Sequence, residues 1–217
     1  AAGYRDLAQI EGAAGAAHAA TFDDYWTDIG TIRSFYEANI DLANHYPQFN
    51  LLCQQSFYTT PSMLSPSRIL DTQLSQTLIA EGSLIEAQVI RKSGVGLRAR
   101  IGRNTQVIQS VIFGNDYVQS LEELINTDGG VALGIGQNCT IKHAIIDKNC
   151  RIGDHVSIIG HPSLAPIETP DYCIIDGIVV VKKGAFLPDH TTIGWQATAA
   201  TEEPSTHGIR VVLEKFS

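Results

Sequence analysis

Positive charge is scarce in this 217-residue chain. Fifteen Lys and Arg stand against 23 Asp and Glu, giving a formal net charge of −8, and no run of basic residues occurs. A protein that grips a phosphate backbone needs a basic face, so nucleic acid is excluded as a partner; a small anion held by a local pair of cations is not. Paired cysteine spacing is missing as well. Cys53, Cys139, Cys150 and Cys173 form no CxxC and have no His pair nearby, which argues against a zinc site or a disulfide framework and for reduced core residues of an intracellular protein. No apolar run approaches the roughly 18 residues of a membrane span. The Ala/Gly-rich first twenty residues are broken by Arg5, Asp6 and Glu11, so that stretch forms no signal-peptide h-region. The chain begins on Ala rather than Met, as a processed product or a fragment would. What it does have is enough apolar sequence for a core: 44% hydrophobic against 18% charged residues excludes general disorder.

Those apolar residues recur at a period of six. Ile175, Val181, Leu187 and Ile193 form one series; Ile146, Ile152 and Ile158 another; Ile135 and Ile141 a third; Val89, Val95, Ile101, Val107 and Phe113 a fourth. Leu78, Leu84 and Ile90 form a further series offset by one. Several members are followed by glycine, as in Ile101-Gly102, Ile135-Gly136, Ile152-Gly153 and Ile193-Gly194. This is the hexapeptide pattern of a parallel β-helix. Each unit is a short strand plus a corner, three units close one triangular coil, the aliphatic points inward, and glycine relaxes the corner. The repeats predict roughly five coils of about 18 residues each.

Two stretches interrupt the period. Residues 115–130 read as a short helix capped by Ser120, with Leu121, Leu124 and Ile125 on one side and Gly129-Gly130 at its end. Residues 161–172, with three prolines, read as a loop. Upstream, Ile32, Phe35, Tyr36, Ile40 and Ala43 mark an amphipathic helix with Thr31 as N-cap. Residues 44–68, with Pro47, Pro61 and Pro66, form an extended linker, and the polar tail after 197 offers one strand candidate at 209–213. The segment FDDYWTDIGT (22–31) brings Asp23, Asp24 and Asp28 beside Trp26. Such carboxylates suit Mg²⁺, which keeps waters and bridges substrate phosphates; an Asp before a helix also serves as a cap or a solvated turn.

The string YWTDIGTIRSFYEANIDL (25–42) closely resembles the end of the catalytic domain of the ADP-glucose pyrophosphorylase (glucose-1-phosphate adenylyltransferase) family, which reads YWxDIGTIxxFYxANLxL. The resemblance continues through YTTPSMLSPSR (58–68), SGVGLRARIG (93–102), FGNDY (113–117), GIGQNCTIKHAIIDKNCRIGD (134–154) and DGIVVVKKGAFLP (176–188). It implies a mainly β chain: a left-handed parallel β-helix preceded by a helix-containing remnant of an α/β nucleotidyltransferase domain. The implied division is 1–45 for the end of the catalytic domain, 46–68 for the linker, 69–195 for the β-helix and 196–217 for the tail. The implied reaction converts ATP and glucose 1-phosphate to ADP-glucose and pyrophosphate with Mg²⁺, for glycogen or starch synthesis, in the cytoplasm or, in a plant or alga, a plastid. By resemblance Asp28 binds the metal, Trp26 lies beside the substrate, and Lys148 and Lys183 hold a phosphorylated activator such as 3-phosphoglycerate, opposed by inorganic phosphate. The family assembles as homo- or hetero-oligomers, typically tetramers.

Two departures matter. The family's Gly-rich GGxGTRL nucleotide loop does not occur in this sequence, so the chain is expected not to be catalytically competent alone. Thr60 and Ser62 stand where the plant-like pattern YTQPRYLPPSK places Gln and Arg near the same anions. Lys148 and Lys183, 35 residues apart, are expected about two coils or roughly 10 Å apart with the loop at 161–172 looped out, and with a phosphate between them in a local positive well. Two other readings fit the repeats: a hexapeptide acyltransferase with His143, His155, His161 or His190 as base, and a non-catalytic effector-binding subunit.

Overall fold

A computed structural model describes residues 23, 25–50, 62–125 and 130–196. Cys53, Thr60, Asp24 and the strand candidate at 209–213 lie outside them. The first element is helix α1 (Ile32–Leu42). Strands then wind in rungs. β1 (Arg68–Ile69) and β2 (Gln73–Ile79) make the first, β3 (Leu84–Ile85) and β4 (Val89–Val95) the second, and β5 (Arg100–Ile101) and β6 (Gln106–Ile112) the third. An excursion carrying the short helix α2 (Leu121–Ile125) precedes β7 (Gly134–Ile135) and β8 (Thr140–Ile146), the fourth rung. The fifth comprises β9 (Arg151–Ile152), β10 (Ser157–Ile159) and, after an inserted hairpin of β11 (Ile167–Glu168) and β12 (Tyr172–Ile175), β13 (Ile178–Val181). A partial sixth holds β14 (Phe186–Leu187) and β15 (Thr192–Gly194). One face stacks β1-β3-β5-β7-β9-β14 in parallel, and β2, β4, β6 and β8 stack beside it. The chain is thus mainly β, a parallel β-helix with one helix of more than five residues among those described.

The rung repeat is shorter than expected. Gln73 pairs with Val89, and Val89 with Gln106, so a rung takes 16 or 17 residues rather than 18. The cause is one corner built from a single residue in the left-handed region: Gln76, Lys92, Gln109 and His143 carry φ of 45–52° within otherwise continuous strands. Inward residues therefore step by five across that corner and by six elsewhere, as in Ile101, Val107, Ile112 and Ile135, Ile141, Ile146, Ile152. Most of the sequence series do face inward: Val95, Ile101, Val107, Ile135, Ile141, Ile146, Ile152, Ile158, Val181, Leu187 and Ile193 are all buried. Others were carried across a five-residue corner and emerge out of phase. Leu78 and Ile175 are exposed and Leu84, Val89 and Phe113 only half-buried; Ile85, Ile112 and Ile174, together with Ile90 of the offset series, take the inward places. A one-residue slip exchanges the two faces of a strand.

Of the glycines after the aliphatics, Gly194 takes the positive φ (91°) expected of a relaxed corner, but Gly102, Gly136 and Gly153 have a different cause. A Cβ on Gly136 would lie 2.5 Å from the Gly153 carbonyl oxygen, and one on Gly102 2.6 Å from that of Gly136. Neighbouring rungs approach too closely there for any side chain. Gly136→Ala is expected to cost about 2 kcal/mol, in the range of overpacking, whereas Gly94→Ala, whose Cβ meets nothing within 4 Å, should stay within about 0.5 kcal/mol of the parent. Thermal unfolding of the two variants checks the contrast.

α1 is held as its sequence predicts. Thr31 accepts the Ser34 N–H at 3.1 Å and donates its own N–H to Ser34 Oγ at 3.2 Å, a capping box. Tyr36 and Ile40 pack on the outer face of the rungs, against Val111, Ile145 and Ile178, with Ile32, Phe35, Phe113 and Val180 around them. Ser120 caps α2 reciprocally with Glu123, and Ile125 is exposed. No helix among the described residues is long and apolar enough to cross a membrane.

Candidate anion-binding corner

Lys148 and Lys183 follow β8 and β13 at the same corner of the β-helix. The Gly184 N–H donates to the Lys148 carbonyl at 2.9 Å, so the two lysines sit on adjacent rungs and not two rungs apart. The inserted hairpin absorbs the extra sequence, since Val181 pairs directly with Ile146. Their ammonium groups meet on one carboxylate. Lys148 Nζ lies 2.7 Å from Asp116 Oδ1 and Lys183 Nζ 3.4 Å from Asp116 Oδ2.

Asp116 is placed by its neighbours. Asn115, buried, donates its N–H to the Leu97 carbonyl and its Nδ2 to the Arg98 carbonyl, fixing the start of the excursion against the second rung. Asn149 then grips Asp116 twice: its Oδ1 accepts the Asp116 N–H at 2.8 Å, and its Nδ2 donates to Asp116 Oδ2 at 2.9 Å. The Lys148 ammonium, followed by the Asn149 amide, holds the Asp116 carboxyl down to about 2. The pairing is therefore complete above the ordinary carboxyl value and is lost only as pH falls through about 2. Asp147 Oδ1 also accepts the Lys148 N–H. Two lysines beside two carboxylates make a balanced cluster, not the positive well expected from the lysines alone. Lys182, adjacent in sequence, points elsewhere and pairs with Glu168.

Ser62 lies on this same corner but on the first rung, donating to Glu81 Oε2 at 2.5 Å. Backbone bonds lead from Glu81 to Arg98, from Leu97 to Asn115 and from Gly114 to Asn149, three rungs on. At the spacing of neighbouring strands that is roughly 14 Å from Lys148.

Trp26 and Asp28 lie on the extended segment before α1. Trp26 is 56% exposed, and Asp28 Oδ1 accepts the Gly30 N–H at 2.9 Å. Among the described residues no three His, Cys, Asp or Glu side chains converge into a metal-holding group. Asp28 offers one protein carboxylate, a donor that fits Mg²⁺ completed by water and phosphate oxygens.

His143, at the single-residue corner of β8, locks α1 onto the rungs. Tyr36 Oη donates to the Gln109 carbonyl at 2.6 Å, so its 2.9 Å contact with His143 Nδ1 has the ring N–H as donor. Burial, then the Arg33 and His161 charges, push the His143 pKa below its usual 6.5. Folding therefore favours the neutral ring: this stabilisation is full above pH 6.5 and is lost as pH falls through the lower folded value. The unfolding temperature should drop between pH 7.5 and 5.5, and His143→Gln should flatten that slope. His155 and His190 stack on each other with centroids 4.9 Å apart, and His161 bonds Ser163 and stacks on Trp195. All four histidines are thus engaged in packing or hydrogen bonds. Cys139, Cys150 and Cys173 are buried and free; burial pushes the Cys150 thiol up to about 12, and its Sγ lies 3.1 and 3.2 Å from the Asp147 and Lys182 carbonyls, which share its one S–H.

Residues 62–192 match the family model of the GLGC left-handed parallel beta-helix domain. Over 178 residues the chain is 41% identical to the "Glucose-1-phosphate adenylyltransferase small subunit, chloroplastic/amyloplastic" of Triticum aestivum, an alignment covering 79% of this chain. It spans 38% of the length of that relative. The parallel rungs described above are the fold that this family model specifies, over more than half of the chain. The chain therefore belongs to the GLGC left-handed parallel β-helix family.

Proposed function

We propose that the chain is the regulatory and assembly portion of a glucose-1-phosphate adenylyltransferase, the enzyme that forms ADP-glucose and pyrophosphate from ATP and glucose 1-phosphate for starch or glycogen synthesis. Residues 1–45 would end the catalytic domain, 46–68 link it to the β-helix of 69–195, and 196–217 form a tail. The name of the wheat relative supports a plastid setting. In the reaction an oxygen of the sugar phosphate attacks the α-phosphorus of ATP. Mg²⁺, when bound, supplies neutralisation of the charge that develops on the phosphates, with Asp28 as its protein carboxylate and Trp26 beside the substrate. Asp28 is kept in place by the Gly30 N–H and by α1, whose capping box begins three residues later.

The observation that carries the regulatory reading is the convergence of Lys148 and Lys183 on one carboxylate from adjacent rungs. Two ammonium groups that reach two oxygens of one group can hold two oxygens of a phosphate in the same way. A phosphorylated activator such as 3-phosphoglycerate, and competing inorganic phosphate, would bind there. β8 and β13, which end beside these lysines, also present Ile145, Ile178 and Val180 to α1, so the anion corner and the Asp28 segment share one packed unit. Assembly into oligomers is supported by the first rung, where the sheets end at β1 and β2 among the described residues and Ile69, Leu70, Leu74 and Leu78 are exposed.

Calorimetric titration with 3-phosphoglycerate tests the site. Lys148→Ala and Lys183→Ala should each weaken binding about tenfold, the scale of one charge-assisted hydrogen bond. Wild-type affinity in both variants would return these lysines to solvated corners.

A further inference from the structure

We infer that Asp116 is a built-in competitor at this corner: a carboxylate of the protein's own that occupies Lys148 and Lys183 until a ligand carrying a phosphate group displaces it. This deepens the reading of the two lysines as an anion site and rests on it. The carboxylate stands where the ligand's oxygens would stand, one oxygen on each ammonium group. It belongs to no strand. It heads the excursion that leaves the β-helix after β6 and is brought back by Asn115 on one side and Asn149 on the other. The anchoring is in the backbone, so the side chain can swing out while Asp116 N–H stays on Asn149 Oδ1.

The exchange is electrostatically easy. The side chains of Asp116, Lys148 and Lys183 are 39%, 46% and 60% exposed, and ion pairs this open contribute little to stability. A phosphate dianion brings twice the charge of the carboxylate it replaces and three acceptor oxygens. Once Asp116 leaves, Asn149 Nδ2 is released toward the same space, giving the ligand a third donor. The site at rest is thus closed by a weak tethered anion, which raises the concentration of ligand needed to open it. The ligand class is a phosphate monoester or inorganic phosphate; a singly charged carboxylate ligand has no advantage over the resident one.

The test is titration of the 217-residue chain with inorganic phosphate at pH 7.5 and low salt, followed by calorimetry. Asp116→Asn keeps the size and the Asn149 contacts but removes the charge, and should tighten phosphate binding about fivefold, the weight of one exposed ion pair. Unchanged or weaker binding in Asp116→Asn, while Lys148→Ala and Lys183→Ala lose binding, would overturn the competitor role and leave the anion site standing. If the lysine variants bind as the parent does, the anion site falls and the competitor with it. An independent readout needs no variant: at pH 7.5, where phosphate is largely the dianion, saturating phosphate should shift the ¹³C resonance of the Asp116 carboxylate as it leaves the two ammonium groups. An unmoved resonance would mean that Asp116 never leaves the lysines.

Discussion

Ile152→Asp is expected to unfold the chain. Ile152 is 1% exposed in β9, stacked between Ile135 of the fourth rung and Leu187 of the sixth. Its side chain lies in the interior shared by all rungs, together with Ile101, Ile141 and Ile158. No buried donor there lacks a partner among the described residues, so an aspartate would be desolvated with nothing to pair with. The penalty is several kcal/mol, against a total stability of about 5–15 kcal/mol for a typical domain. Ile175→Asp is the matched control. Ile175 belongs to a six-period series but faces outward at 38% exposure, and the change should stay within about 0.5 kcal/mol. Circular dichroism melts of the two variants separate the inward register from the naive period. Equal losses in both would put the register in error.

The purified 217-residue chain is expected to form no measurable ADP-glucose from ATP and glucose 1-phosphate. The family's Gly-rich GGxGTRL loop is not in its sequence, and the chain spans 38% of its wheat relative. Of the groups that the resemblance assigns to the reaction, it holds Asp28 and Trp26, both on one exposed segment. A single carboxylate cannot position two anionic substrates for in-line attack, and positioning supplies much of the rate in phosphoryl chemistry. Steady product formation by chain free of contaminating enzyme would overturn the assignment of this chain to the regulatory portion.

Much of this architecture is legible in the sequence because its causes are local or periodic. The Thr31 cap, the apolar stripe of α1, the Ser120 cap and the six-residue spacing each depend on residues a few positions apart. The five-residue corner is harder to see. Gln76, Lys92, Gln109 and His143 carry no glycine-like signature, yet all adopt positive φ, because their corners stack and share one geometry. Equally hidden is a ladder of small polar residues inside the rungs. Ser93 Oγ donates to the Arg91 carbonyl and accepts the Ser110 N–H; Ser110 repeats this with Ile108 and Ala144; Thr105 caps the Gly136 carbonyl and accepts the Cys139 N–H. Ser and Thr read as surface in a sequence, and only the stacked rung supplies their partners. Lys148 and Lys183 were visible through motif resemblance. Asp116 was not, because it comes from an excursion 32 residues before Lys148 and reaches the corner only once the rungs are stacked. The two lysines lie closer than the repeats predict because the insertion is longer than the loop at 161–172: β12 (Tyr172–Ile175), expected to belong to the rungs, pairs antiparallel with β13 and adds no rung.

A crystal structure of the chain equilibrated with saturating inorganic phosphate tests the anion corner most directly. The account predicts phosphate within hydrogen-bond distance of both Lys148 Nζ and Lys183 Nζ, with the Asp116 carboxylate rotated away and Asn149 Nδ2 turned to the ligand. Asp116 still bridging both ammonium groups, with no phosphate at the corner, would contradict it.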